Sequence, residues 1–280
     1  MASKKRENSF TLNYGDGDFS MVDERVFKLV REFKAKEENY KQLPKFYDLK
    51  KYIQTYDKIF LEFYSFILIN HHLSSSQFFQ DLFVLYVLKS KKSGTFLEFG
   101  ATDGVELSNT YLLENKFGWQ GVLAEPSPEW HEPLKKNRPT STIITDCIYS
   151  SSGKTLDFFV SKEPTLSTLE NYRYSSNGPN NFTRNNDGHH VKVATKSLND
   201  VFIEFFNSKP IDYMSVDSEG SEFTILENFD FGKFGPKVMT IEHSEIPDYQ
   251  SKINNLLKDN GYQCAFEGYS QFDGWYIRNH

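Results

Sequence analysis

The sequence predicts an α/β protein built on a doubly wound, mainly parallel sheet. Three observations carry this. From Gly94 onward, short apolar runs alternate with stretches of helical period. The first run ends in a glycine turn, Glu98-Phe99-Gly100-Ala101-Thr102-Asp103-Gly104. Carboxylates then close successive predicted strands at Glu98, Glu125, Asp146 and Asp217. In an open α/β sheet the ligand crevice lies along that edge.

The elements follow in order. Residues 1–20 are polar and read as a flexible arm. Residues 21–90 read as a helical N-terminal extension. Val22, Val26, Leu29, Val30 and Phe33 recur at helical spacing, as do Phe60, Phe63, Phe66 and Ile67. Pro44 interrupts it, and Phe78–Leu88 forms its last helix with Ser76 as the N-cap. Strands are expected at 95–99, 120–124, 141–145, 211–216, 237–241, 262–266 and 275–278. Helices are expected at 109–116, 129–137, 197–206, 221–228 and 249–259. Asn171–His190 has no apolar period and reads as a lid over the acceptor or a mobile loop.

Composition narrows the class. Of 280 residues, 38% are hydrophobic and 25% charged, the balance of an ordinary globular chain. The net charge of −6 and the lack of a basic stripe argue against nucleic acid as partner. Cys147 and Cys264 are too few for a disulfide framework and read as buried, reduced thiols in a cytoplasmic protein. No apolar h-region follows the basic Met1–Arg6, so no secretory signal is expected. The most apolar run, Ile59–Asn70, contains Glu62 and falls short of the roughly 18–20 residues that span a bilayer.

The glycine turn sits between a predicted strand and a predicted helix, where a nucleoside-binding turn belongs. Gly100 would permit the tight turn and Gly104 the close approach of backbone to ligand. Thr102 stands where a dinucleotide fingerprint needs a further glycine, and no Gly-Lys-Ser/Thr follows, so a pyrophosphate ligand is disfavoured. Glu125 lies 21 residues after Gly104, the spacing of a carboxylate that holds a ribose diol. So acidic an edge suits a ligand with ribose hydroxyls, an amino group and a positive charge, the features of S-adenosyl-L-methionine.

These residues resemble the FkbM family of S-adenosylmethionine-dependent methyltransferases, from about Ser76 to the C-terminus. The elements are Ser76-Gln77-Phe78-Phe79-Gln80-Asp81, Phe96–Gly104, Ser108-Asn109-Thr110, Leu113-Glu114, Gly118-Trp119-Gln120-Gly121, Glu125-Pro126, Ile211–Glu222 and Ile241-Glu242-His243. The resemblance implies a class I methyltransferase fold, Rossmann-like, seven-stranded, with the last strand antiparallel, over residues 91–280. It implies O-methylation of a sugar, glycan or related natural-product acceptor. Carried over by position, Glu98, Gly100, Ala101 and Gly104 shape the methionine end of the cofactor site. Asp103, Asn109 and Thr110 contact the methionine carboxylate and amine. Glu125, with Pro126 beside it, holds the ribose. Asp146 and Cys147 flank the adenine, and Asp217 lies near the sulfonium.

An alcohol acceptor needs its proton removed, and a positioned base contributes about 10²–10⁴-fold. His243 is the preferred base, with Asp217 and Glu219 beside it. The alternative is a divalent cation such as Mg²⁺ held by Asp217, Glu242 and His243. Glu219 and Glu222 could instead serve the N-terminus of the following helix. Two other readings remain open: a non-catalytic module that recruits a partner, and a methyltransferase acting on a small-molecule or protein hydroxyl or amine. The N-terminal helices would serve any oligomer.

Overall fold

The computed structural model describes residues 58–174, 179–243, 247–267, 269 and 273–279. The expected arm and the extension up to residue 57 lie outside the described residues. Eleven strands fall within them: β1 (Thr95–Phe99), β2 (Gln120–Ala124), β3 (Thr142–Ile144), β4 (Cys147–Tyr149), β5 (Thr155–Ser161), β6 (Thr168–Leu169), β7 (Gly188–Ser197), β8 (Tyr213–Val216), β9 (Val238–Glu242), β10 (Tyr262–Ala265) and β11 (Asp273–Arg278). Seven form one sheet in the order β10-β11-β9-β8-β1-β2-β3. All its pairings are parallel except those of β11, which runs antiparallel to β9 and β10. This is the expected class I methyltransferase sheet.

Alternation along β1 explains why both faces are filled. Leu97 and Phe99 enter one core with Val216, Ile241 and Phe202. Phe96 enters the other, with Leu82, Phe83, Leu113 and Trp119. Helices α1 (Lys58–Asn70) and α2 (Gln80–Val87) belong to this second core. Phe63 stacks on Phe266 at 4.7 Å between centroids and Phe83 on Trp275 at 4.6 Å, which ties both helices to the closing strands. No helix among the described residues is long and apolar enough to cross a membrane.

Ser76 does not cap α2. The helix starts later, with Phe79 at φ 65° in the N-cap position. The Ser76 hydroxyl instead accepts from the Asp81 N–H and donates to the Ser108 carbonyl at 3.3 Å. This pins the entry to α2 against the loop after β1. Cys264 is exposed, contrary to expectation, on the edge strand β10, while Cys147 is buried.

The largest departure from expectation lies between β3 and β8. A second sheet, β4-β7-β5-β6, is inserted there around a small core of Cys147, Phe158, Val160, Leu169 and Val193. Asn171–His190 is thus not one loop. It ends a 3₁₀ turn at Glu170–Tyr172, forms a helix over Pro179–Asn186 and enters β7 at Gly188. Sequence periodicity misses these elements because one face of β7 is solvent-exposed and the helix is built mainly of Asn, Thr and Arg.

Candidate active site

The strand order reverses between β1 and β8, and a cavity of about 420 Å³ opens at their C-terminal ends. Its floor is the turn after β1. Gly100 takes φ +71°, and a Cβ there would lie 2.5 Å from the Asp217 carbonyl oxygen. Only glycine lets the two loops approach this closely. Gly100→Ala is expected to lower stability by about 2–5 kcal/mol, from left-handed strain and overpacking together. A denaturation midpoint equal to wild type would contradict this.

Glu98 is buried and organises the next loop. Its carboxylate accepts from the Ser108 and Thr110 hydroxyls and the Asn109 N–H. Burial raises its pKa, against the nearby Arg138 guanidinium and these donors. The Asn109 side chain donates to Ser215 Oγ at 2.9 Å, while its Oδ1 is buried with no hydrogen-bond partner among the described residues. An unsatisfied acceptor on a residue that lines the cavity suits an ammonium group. Glu125 is 4% exposed and accepts the N–H groups of Thr102 and Ser127. Burial pushes its carboxyl up to about 7 against those two donors. Two of its roughly four lone-pair sites stay open for ribose hydroxyls. The chain therefore offers what S-adenosylmethionine needs at both ends.

Of the expected site residues, Glu98, Gly100, Ala101, Asn109, Glu125, Pro126, Cys147, Asp217 and Glu219 line this cavity. The others lie elsewhere, each for a visible reason. Asp103 closes its own turn, accepting from the Val105 and Glu106 N–H groups. Gly104 packs against the helix His131–Asn137 and the residue after it; a Cβ there would meet Leu134 and Arg138 side chains at 2.6 Å. The Thr110 hydroxyl is engaged by Glu98 and Arg138. Asp146 reaches toward Lys196, at 4.0 Å. His243 is buried beyond β9 and is not among the lining residues. Glu222 closes the turn before the helix Glu222–Leu226, accepting from the Ser218 and Gly220 N–H groups and from Tyr249 Oη.

Three residues missed in the sequence shape the site. Gln80 and Asp273 both line the cavity, with Gln80 Nε2 donating to Asp273 Oδ2 at 2.6 Å. Burial lifts the Asp273 carboxyl to about 6. Gln80 was in view as part of Ser76–Asp81, and Asp273 opens the final strand, but nothing local joins them across 193 positions. The third is Arg184, expected on an acceptor lid. It is 1% exposed, and its guanidinium bonds the Glu219 carboxylate.

At the ends of β8 and β9, oxygens of Asp217, Glu219 and Glu242 come within 4.8 Å of one another. Burial raises the Asp217 and Glu242 carboxyls well above the usual range. Glu219, Glu222 and Asp273 push both further, and a hydrogen bond joins the two. The Glu219 carboxyl is raised to about 7 by burial, against the pull of Arg184. The cation set expected from sequence, Asp217 with Glu242 and His243, is not assembled around the cavity.

The methyltransferase FkbM domain model matches residues 98–264. No curated protein sequence matches the chain. Among solved structures, a putative caffeoyl-CoA O-methyltransferase from Staphylococcus aureus is similar at 12% identity, covering 83% of this chain and 98% of that one, with a TM-score of 0.42. An O-methyltransferase from Bacillus cereus in complex with SAH is similar at 11% identity, over 79% and 90%, with a TM-score of 0.40. Fibrillarin from Aeropyrum pernix with natively bound S-adenosyl-L-methionine is similar at 12% identity, over 67% of each chain, with a TM-score of 0.35. The domain match covers more than half of the sequence and begins at the buried Glu98 just before the glycine turn: the chain belongs to the FkbM methyltransferase family.

Proposed function

We propose that the chain transfers the methyl group of S-adenosyl-L-methionine to a hydroxyl of a neutral sugar, glycan or related acceptor. One observation carries this reading. Glu98, Glu106, Glu125, Asp217, Glu219, Glu242 and Asp273 line the cavity, and no Lys, Arg or His does so among the described residues. Such a wall attracts a sulfonium and repels phosphates. It admits a neutral hydroxyl acceptor and disfavours an anionic one.

The cofactor, when bound, supplies a methyl group on a cationic sulfur that leaves neutral. The chain does the rest. Glu125 holds the ribose hydroxyls, and Asn109 Oδ1 accepts from the amine. Asp217 and Glu242, linked by their hydrogen bond, face the acceptor side of the cavity. That hydrogen bond needs a proton on one carboxyl and leaves the other ionised, able to take the acceptor proton as the new C–O bond forms.

A pH dependence follows from Glu125. Ribose hydroxyls donate to its charged form, so binding lowers its pKa and releases a proton. Affinity for S-adenosylhomocysteine should rise with pH up to about 7 and level off above it. The slope below that point should not exceed about tenfold per pH unit. Calorimetry across pH should show this in wild type and a flat profile in Glu125→Gln. A flat wild-type profile would contradict the assignment.

The acceptor class is tested with methyl-labelled S-adenosylmethionine and matched neutral and phosphorylated saccharides. Label on the neutral set alone supports the reading. Label confined to phosphorylated saccharides, or to amines, overturns it.

A further inference from the structure

The carboxylates at the acceptor end pose an electrostatic problem. Asp217, Glu219 and Glu242 bring oxygens within 4.8 Å of one another, with Asp273 and Glu222 close enough to raise their pKa values. Three such oxygens would suit a hard divalent cation, provided all were free and ionised. Glu219 is not free. Arg184, from the helix Pro179–Asn186 of the inserted module, reaches it with Nη2. The guanidinium Nε donates to the Leu166 carbonyl at 2.8 Å, and the backbone beneath it is pinned where the Arg184 carbonyl accepts from Ser161 Oγ at 3.3 Å. Thr168 Oγ1 fixes the same glutamate from its backbone side, donating to the Glu219 carbonyl at 3.0 Å. Glu219 itself sits at φ +57°, a conformation that a bulky non-glycine residue keeps only when its surroundings impose it. The inserted module therefore grips one residue of the loop after β8 by both its carboxylate and its carbonyl.

We infer that Arg184 is a positioning residue that stands in for a metal: it is the built-in cation of this carboxylate cluster, carried in by the inserted module. The cost of burying this guanidinium is offset only while Glu219 is ionised beside it. The proton shared within the cluster is thereby left to Asp217 and Glu242, the pair that faces the acceptor. A planar monocation also blocks the third oxygen that a divalent ion would need. The inference rests on the methyltransferase reading only for what the cluster does. The charge arrangement stands without it.

The test is Mn²⁺ binding to the full chain, followed by the loss of the free-ion electron paramagnetic resonance signal, with S-adenosylhomocysteine affinity as a separate readout of the cofactor half. Arg184→Gln keeps a donor for the Leu166 carbonyl and loses the charge. It should bind Mn²⁺ about tenfold or more tightly than wild type, because an oxygen site is released. Arg184→Lys, which keeps the charge, should stay near wild type. An Mn²⁺ affinity of wild type equal to that of Arg184→Gln overturns the inference. Should Arg184→Gln not fold, Glu219→Gln in its place decides: Mn²⁺ affinity falling about tenfold from a measurable wild-type value would mark Glu219 as a ligand and overturn the inference. An Mn²⁺ affinity unchanged in Glu219→Gln would uphold it, whereas no Mn²⁺ binding by wild type and by a folded Arg184→Gln would overturn it, since removing the guanidinium would then release no site. Failure of S-adenosylhomocysteine to bind wild type would sink the methyltransferase reading instead.

Discussion

Arg138→Met is expected to lower the stability of the fold by about 3–5 kcal/mol, the range for removing one partner of a buried ion pair. Arg138 is 1% exposed at the C-terminal end of the helix His131–Asn137. It donates to Glu114 through Nε at 2.6 Å, to the Gly104 carbonyl at 2.9 Å and to the Thr110 hydroxyl at 3.0 Å, and it lies 3.9 Å from Glu98. It thus binds the glycine turn, the helix Tyr111–Phe117 and the end of β1 into one unit. Burial drives the Glu114 carboxyl up, but the Thr140 hydroxyl, Arg138 and the Ser141 hydroxyl outweigh it and hold the pKa below its ordinary value. Methionine fills the volume yet leaves Glu98 and Glu114 without their cation. Denaturant unfolding measures the loss, and Glu114→Gln added to Arg138→Met should recover part of it. A loss below about 1 kcal/mol would show that the network is solvated.

The second large effect concerns ligand rather than fold. Glu125→Ala should weaken S-adenosylhomocysteine binding by about 1.5–3 kcal/mol, roughly ten- to hundredfold, the range for hydrogen bonds to a charged group. The same carboxylate also accepts the Thr102 and Ser127 N–H groups, so part of the loss comes from loosening the turn. Glu125→Gln separates the two. Its amide oxygen can still take one N–H while the charge is gone. Unchanged affinity in both variants would remove Glu125 from the ribose site.

The parallel sheet was legible in the sequence wherever local pattern and burial agree. β1 and β2 fall at the expected residues, since buried strands read as apolar runs. The last strand begins two residues earlier than expected, because Asp273 and Gly274 carry no apolar signal but still pair with Glu242 and Ile241. Half of the site was legible too: the residues that line the crevice from β1, β2 and β8 sit at strand ends, where position in the chain fixes position in space. The other half depends on contacts between distant segments. Gln80 meets Asp273, Arg184 meets Glu219 and Arg138 meets Glu114, pairs that no spacing rule connects. The inserted sheet was missed for a related reason. Its small core takes few apolar residues from each strand, and the rest of each face is polar. His243 attracted the base role by its residue type and its place after the fifth strand, but it is buried beyond β9 and is not among the residues that line the cavity.

The measurement that reaches the central claim most directly is a calorimetric titration of the wild-type chain with S-adenosylmethionine, NAD and ATP in turn. An acidic crevice built for a ribose, an ammonium and a sulfonium should bind S-adenosylmethionine and reject both phosphate-bearing nucleotides. Binding of NAD or ATP with equal affinity, or no binding of S-adenosylmethionine, would contradict the account.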